Sequence, residues 1–446
     1  MALALQERAD LEEAAMRPII RPGQFFWVIA AGLSTVVLLA VVAYLQQLKE
    51  GLGVTGLNQR VSWGFYIGDM VFFIGVSYGG AMTSAILRLT NAPWRAPLSR
   101  IAETMAVASV MVGAVFPIID MGRPERMVYL FRYGQVGSPV LWDVVAVNTY
   151  LIAGAIFLYL PLIPDIAACR DRLGPSAGKA RELLYRYLAL GWRGTPTQKH
   201  VLEWGTTVVA IVIIPLAVSV HSVLAFLFGV TSRPAWDSTI LAPYFVLAAM
   251  FSGVATVILV TAGFRWAYHL EDYIEVKHFK YLAFIMMALG AGYGYFMFAE
   301  YLTEGYKMHA GPGAILELLI TGKLAWAMWL FGIGGLIVPI LIVALPWTRN
   351  ITGITIASAA VIAAMWLKRF LIVVPGLAQP LMPSDVVIYI PSRVEIAITL
   401  GAAAAIPLLM MLFFRIFPII SIFEIEEIAA EKAGHHEETA GELAGS

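Results

Sequence analysis

Long apolar runs separated by short polar connections dominate the chain. Ten of them are longer than the about 20 residues a helix needs to cross a bilayer. They lie at roughly 25–48, 63–90, 98–120, 140–163, 201–228, 240–266, 280–304, 322–346, 351–375 and 393–418. Gly and Pro occur inside several runs, as membrane helices tolerate. The ninth meets Lys368 and Arg369, and the seventh ends in Glu300 and Glu304. The pattern predicts an all-α polytopic membrane protein of about ten transmembrane helices. It divides the chain into an N-terminal tail (1–24), a transmembrane domain (25–423) and an acidic C-terminal tail (424–446) that ends in Gly and Ser. The first 24 residues are polar and mixed in charge, unlike a cleavable signal peptide, so the first apolar run is expected to act as its own insertion signal. The C-terminal tail is expected to be flexible or to lie against a partner.

Composition sharpens this picture. Hydrophobic residues make up 60% of the chain and charged residues 13%, against about 25% charged in soluble domains. Lys+Arg and Asp+Glu number 30 each, and no basic run interleaved with aromatics suggests nucleic-acid binding. Cys169 is the single cysteine. It cannot form an intrachain disulfide, and an iron–sulfur cluster needs about four ligands. Lys and Arg are in excess in the tails and in the connections on the side of the termini, above all in the connection between the fourth and fifth spans. Both termini are therefore expected to be cytoplasmic and the protein to sit in the cell's inner membrane. That same connection carries Glu182-Leu183-Leu184-Tyr185-Arg186-Tyr187-Leu188 followed by Trp192-Arg193, read as a short amphipathic helix on the inner membrane surface.

Ionisable groups inside apolar spans are costly and therefore candidates for function. With the termini inside, Asp69, Asp120, Arg123, Asp143 and His221 all map to the outer half of the membrane. They come from four consecutive spans, so a bundle of spans two to five would let them share one pocket. Aromatics such as Trp63, Phe65, Tyr66, Phe72, Phe73 and Trp142 would wall it. Such a pocket suits a lipophilic ring with two polar oxygens. Quinol oxidation also releases two protons, for which a buried Asp or a His supplies acceptors whose affinity the surroundings set. Plainer roles remain open. Asp120 and Arg123 would pair at the interface, Asp143 would cap its helix, and His221 would donate to a neighbouring carbonyl. Glu103, Glu300 and Glu395 are candidates for proton relay, or else for pairing with nearby Lys or Arg. Haem needs histidines at matching depth on facing helices. Only His221 lies well inside a span, so neither haem nor a metal site is expected.

The stretches GLNQRVSWGFYIGDMVFFIGVSYGGAMTSAILRL, WRAPLSRIAETMAVASVMVGAVFPIIDMGRPERM, SPVLWDVVAVNTYLIAGAIFLYLPLIPDIA, VHSVLAFLF, PAWDSTILAPYFVLAAMFSG and YIPSRVEIAITLGAAA resemble the NrfD/PsrC-like membrane subunits of iron–sulfur–molybdoenzyme complexes. They are most similar to the ten-helix branch of the ActC and ActF subunits of alternative complex III. The resemblance covers about 26–423. It implies two four-helix bundles, one from helices two to five (63–228) holding the quinone site and one from helices six to nine (240–375), with the first and last helices outside them. It implies a subunit with no haem, metal or iron–sulfur cluster of its own that binds menaquinone or ubiquinone as substrate. The implied partners are an iron–sulfur subunit, ferredoxin-like or joined to a molybdopterin-type subunit, together with cytochrome c subunits and a second NrfD-like subunit. By motif, it implies quinone-site roles for Asp143 in LWDV, His221 in VHS and Asp120 at the end of FPIID. Two positions depart from the alternative complex III pattern: Asp120 stands where a His usually precedes GR, and YGG, with Tyr78, replaces HAG.

The expectation is thus a quinol-linked oxidoreductase subunit, inactive alone. Asp143, His221 and Asp120 serve the chemistry, and Asp69, Arg123, Tyr66 and Trp142 hold the headgroup. Tyr78, Glu103, Glu300 and Glu395 carry protons. The alternative is a proton-translocating or secondary-transport subunit without quinone chemistry. Matched broken helices in two halves would support that reading, and none is visible in the sequence.

Overall fold

The computed structural model describes residues 5–20, 22–173, 178–231, 233–380, 386–387 and 389–427, with side chains from residue 10 onward. Ten helices are long and apolar enough to cross a membrane: span 1 (Gln24–Glu50), span 2 (Phe65–Leu89), span 3 (Ala96–Asp120), span 4 (Pro139–Tyr159), span 5 (Pro196–Gly229), span 6 (Leu241–Tyr268), span 7 (Val276–Lys307), span 8 (Ala325–Ala344), span 9 (Ile351–Ala378) and span 10 (Arg393–Phe414). Every expected apolar run is a helix, and no strand occurs among the described residues. The protein is a multi-pass integral membrane protein.

Local chemistry sets the ends. Pro139 and Pro196 sit in the first turn of spans 4 and 5, where a missing N–H costs nothing. Thr195 with Gln198 and Ser392 with Glu395 close capping boxes at the starts of spans 5 and 10, so each side chain satisfies a backbone donor of the first turn. Span 3 breaks at Ala114–Val115 and resumes at Phe116–Asp120 around Pro117, which lacks the N–H that would continue the ladder. The fourth run was expected to reach 163. Its helix stops at Tyr159, and a separate helix, Leu162–Leu173, carries the chain away.

Sequence reasoning missed helices outside the apolar runs. Leu5–Ile20 is helical, with Leu11, Ala15, Met16 and Ile19 buried. The segment Ala310–Ile320 forms another. The expected amphipathic helix is present as Lys179–Leu188; its Tyr185 is buried and donates its hydroxyl to the Ile416 carbonyl at 2.7 Å. Of the C-terminal tail, residues 424–427 are helical, in a helix that begins at 422 and packs onto the protein; the rest of the expected tail lies outside the described residues.

Span 2 is buried along nearly its whole length. It packs against spans 3, 5, 6, 9 and 10. Span 4 packs against spans 3 and 5, spans 7 and 9 each pack against spans 6 and 8 and against one another, and spans 1 and 10 form a close pair. Spans 2 and 6 meet backbone to backbone: a Cβ on Gly79 would fall 2.4 Å from the Cα of Gly253. Only glycine at both positions permits that approach, as at many membrane helix crossings. The outward face of span 1, with Phe25, Trp27, Leu38 and Val42, is exposed and apolar, as a lipid-facing surface requires.

Candidate functional site

Antiparallel alternation brings the end of each odd span and the start of each even span to one end of the molecule, opposite the termini. Asp69, Asp120, Asp143, His221, Glu300 and Glu395 all lie toward that end. They form separate groups there.

The first group is built around Tyr66 and Asp69 of span 2. Tyr66 donates its hydroxyl to Gln47 Oε1 at 2.5 Å, and Gln47 Nε2 donates to the Ile119 carbonyl at 2.9 Å. This ties spans 1, 2 and 3 together beside Asp120. Asp69 is fully buried. Its Oδ1 accepts from Trp366 Nε1 at 2.7 Å and its Oδ2 from Thr399 Oγ1 at 2.5 Å, so spans 9 and 10 hold it with two neutral donors and no cation. Asp120 has a buried Oδ1 without a partner. Asp69, Asp120 and Glu395 all lie within electrostatic reach of the Tyr66 hydroxyl. Phe116 stacks on Phe73 with ring centroids 5.7 Å apart, and Phe65 packs edge-on against Trp366 and Phe370.

Glu395 belongs to this group in space, but its oxygens are taken. It accepts from the Gly56 N–H at 2.7 Å and the Ser392 N–H at 2.8 Å, and the Tyr389 hydroxyl bonds to it as well. It is a capping residue that also staples two connections. Arg123 is exposed, and among the described residues no ion pair joins it to Asp120.

The second group is centred on His221 of span 5, which is fully buried. The Tyr78 ring of span 2 lies 4.7 Å from its imidazole, centroid to centroid, and the Tyr78 hydroxyl is itself buried without a partner. Neither imidazole nitrogen has a partner of strict hydrogen-bond geometry among the described residues; the Ala217 carbonyl, one turn earlier on the same span, is the backbone group that interacts with the ring. The carbonyl beside the ring thus belongs to His221's own span and not to a neighbouring helix. Next to Tyr78 on span 2, Ser77 Oγ donates to the Tyr150 hydroxyl of span 4 at 3.2 Å.

Asp143 stands by itself. Ser138, not Asp143, occupies the N-cap of span 4. Asp143 is buried with Oδ1 unpartnered, and among the described residues no hydrogen bond, ion pair or ring contact joins it to Asp69, Asp120 or His221. Trp142 beside it is 40% exposed and turns its indole N–H back to the Val136 carbonyl; it serves the loop rather than a pocket wall.

Glu300 lines a small cavity of about 50 Å³ with Tyr244, Tyr301, Ser238 and Lys368. The buried Lys368 Nζ donates to the Tyr301 hydroxyl at 2.5 Å. Glu103 lies toward the opposite end, near the termini. It accepts from Ser84 Oγ at 2.7 Å, beside Arg88 and Arg100. Sequence reasoning missed Gln47, Trp366, Thr399, Tyr389, Arg369 and the Tyr244–Tyr293 hydroxyl pair, which meets at 2.7 Å. The adjacent charges Lys368 and Arg369 inside an apolar run were a signal that could have found Arg369. Among the described residues no cluster of three or more His, Cys, Asp or Glu side chains is placed to hold a metal ion.

Residues 53–380 match the family described as "Polysulphide reductase, NrfD". The chain belongs to the NrfD family. Its similarity to other proteins extends over nearly the full length. It is 26% identical to the putative dimethyl sulfoxide reductase membrane subunit of Halobacterium salinarum, over 92% of this chain and 96% of that one. It is 26% identical to the Hdr-like menaquinol oxidoreductase integral membrane subunit of Archaeoglobus fulgidus, over 89% and 95%. It is 25% identical to a selenate reductase subunit of Mesobacillus selenatarsenatis, over 78% and 82%. The NrfD match covers spans 2 to 9, and so takes in both groups of buried polar residues apart from Gln47 of span 1 and Tyr389, Glu395 and Thr399 near the start of span 10.

Proposed function

We propose that this NrfD protein is the quinol-interacting membrane subunit of a respiratory oxidoreductase complex, working in the cytoplasmic membrane with both termini in the cytoplasm. In this reading it exchanges electrons with a partner that holds iron–sulfur clusters, and it takes up or releases the quinol protons. Quinol oxidation of the alternative complex III kind is the finer form of the proposal. It includes cytochrome c subunits and a second NrfD-like subunit among the partners, and menaquinone or ubiquinone as the substrate. The name of the Archaeoglobus relative, a menaquinol oxidoreductase subunit, supports the quinol link, and that of the Mesobacillus relative, a selenate reductase subunit, supports a reductase complex.

The observation that carries the reading is a set of buried polar side chains away from the termini that have unpartnered atoms and no ion pair among the described residues. His221, Tyr78, Asp143 and Asp120 each keep a buried hydrogen-bonding atom open. Unsatisfied buried polar groups are expensive, and in native proteins they mark places that engage something else. They do not share one pocket; of these groups the His221–Tyr78 pair, with two open groups side by side, best suits an oxygen of a lipophilic ring. Asp69 and Tyr66 support the headgroup end, and Tyr78 beside His221 offers the first step of a proton route.

The test is quinol-dependent reduction of an acceptor by the assembled complex. Asp143→Asn and His221→Ala are expected to lower turnover about a hundredfold or more, in keeping with the usual contribution of a positioned acid or base. Unchanged turnover in both would remove the assignment.

A further inference from the structure

Lys368 and Arg369 are adjacent, equally buried and differently served. Lys368 bonds to the Tyr301 hydroxyl and lies over the Tyr301 and Phe331 rings. Arg369 is 1% exposed, and its Nε, Nη1 and Nη2 all lack a hydrogen-bond partner. Its guanidinium lies over the Phe245 ring at 5.3 Å, which gives attraction without saturating a single N–H. The nearby polar groups are the Tyr244 and Tyr293 hydroxyls and the His221 imidazole, and among the described residues no carboxylate oxygen is bonded to it. Its depth is fixed by span 2: a Cβ on Gly68 would lie 3.9 Å from the Arg369 carbonyl carbon. Arg369 therefore stands level with Gly68 and Asp69, and His221 abuts the same helix two turns deeper at Gly75.

A guanidinium is permanently charged, and burying one without an anionic or strongly accepting partner is among the costlier arrangements a protein can hold. Within electrostatic reach of it is the buried His221 imidazole, neither of whose nitrogens has a partner of strict hydrogen-bond geometry among the described residues. The guanidinium N–H groups and the one N–H of a neutral imidazole are donors, complementary to one guest, an oxygen that carries negative charge. We propose that Arg369 and His221 form the pair that receives a headgroup oxygen at the junction of spans 2, 5, 6 and 9, with Arg369 conferring preference for an ionised hydroxyl over a neutral ether oxygen. This inference rests on the quinol reading above and adds to it a residue outside spans 2 to 5.

The experiment uses the purified full chain in detergent and two fluorescent probes, a 2-alkyl-4-hydroxyquinoline N-oxide and its O-methyl ether. The expected result is that the wild-type chain binds the ionisable probe at least about tenfold tighter, the worth of one hydrogen bond to a charged group. Arg369→Gln is expected to bind both alike, and Arg369→Lys to keep part of the preference. Equal binding of the two probes by the wild type overturns the inference while leaving the quinol reading intact. So does a preference that survives in Arg369→Gln, with a lowered Tm as its only change, because Arg369 would then serve packing alone. Binding of neither probe by the wild type overturns both. The wild-type comparison decides even where Arg369→Gln does not fold.

Discussion

The two ends of the molecule bury charge in opposite ways. At the end that carries the termini, arginines and carboxylates are matched. Arg100 Nη2 meets Asp165 Oδ2 at 2.9 Å with both side chains 1% exposed, Arg88 meets Glu424 at 2.6 Å, and Arg95 reaches Glu427 at 3.4 Å. The Phe423 N–H adds a bond to the other Asp165 oxygen at 3.1 Å. This network fastens the C-terminal helix to spans 2 and 3 and to the helix Leu162–Leu173. At the far end His221 and Arg369 have no hydrogen-bond partner among the described residues, Asp143 and Asp120 keep an open oxygen, and Asp69 is held only by neutral donors. Arg95, Arg100 and Glu424 also keep atoms open, but each of them meets an opposite charge, and that pairing separates the two roles. Charge that is spent on a neighbour holds the fold, and charge that is left open can meet a guest. Glu103, with one oxygen bonded to Ser84 and the other open, sits at the matched end among arginines, which weakens it as a proton carrier relative to Tyr78.

The largest effect expected from this contrast is on stability at the matched end. Arg100→Ala strands Asp165 and should cost about 3–5 kcal/mol, the usual penalty for breaking one side of a buried pair. Thermal unfolding in detergent reads it. A Tm equal to wild type would mean that the network is not what secures the C-terminal helix.

A smaller loss is expected where the two sets of spans touch. Gly253→Val forces a branched side chain into the backbone of span 2 and should destabilise by about 1–3 kcal/mol, as overpacking does. Unlike Arg100→Ala, it should also disturb the far end, because Gly75 and Tyr78 lie within one turn of the Gly79 contact on the same helix. A variant with reduced Tm but unaltered quinol KM would uncouple the Gly79–Gly253 crossing from the site.

At the far end the signs should differ. His221→Leu removes two open nitrogens and fills the space with carbon. It is expected to leave stability unchanged or to raise it by up to about 1 kcal/mol, since replacing an unsatisfied group by an apolar one is close to neutral, while turnover falls. A loss of several degrees in Tm together with turnover would show that the imidazole is structural, and the contrast between the ends would fail.

How much of this was legible in the sequence follows from the same distinction. Apolar length is written directly in the chain, so all ten spans could be placed, including the ninth despite Lys368 and Arg369. The helices Leu5–Ile20 and Ala310–Ile320 were not seen because their burial is created by the fold and not by a long apolar run. Depth was also legible, because alternating direction assigns Asp69, Asp120, Asp143 and His221 to one end. Azimuth was not. Which way a side chain faces around its helix depends on crossing geometry, and that sends Asp69 toward Trp366 and Thr399 of spans 9 and 10 and sets His221 near Arg369, which is far away in sequence. Arg369 stood in plain view in the sequence as an oddity of span 9; only its missing partners make it a candidate.

The smallest effect concerns pH and returns to the matched end. Asp165 lies outside the spans, and burial pushes its carboxyl up to about 6, an effect that Arg100 reduces without cancelling. Burial likewise raises Glu427. A carboxyl whose folded-state affinity for protons exceeds that of the unfolded chain binds more protons when folded, so stability falls as pH rises through the interval between the two values and levels off above the higher one. For Asp165 that interval runs from about 4, the usual Asp value, to about 6. Tm should therefore decline modestly across it and flatten beyond. Asp165→Asn, which cannot ionise, should shrink the decline even though it weakens the contact to Arg100. A Tm that instead climbs with pH over this interval in the wild type but not in Asp165→Asn would mean that the ion pair outweighs burial, and that the matched end stabilises the fold through its charges rather than in spite of them.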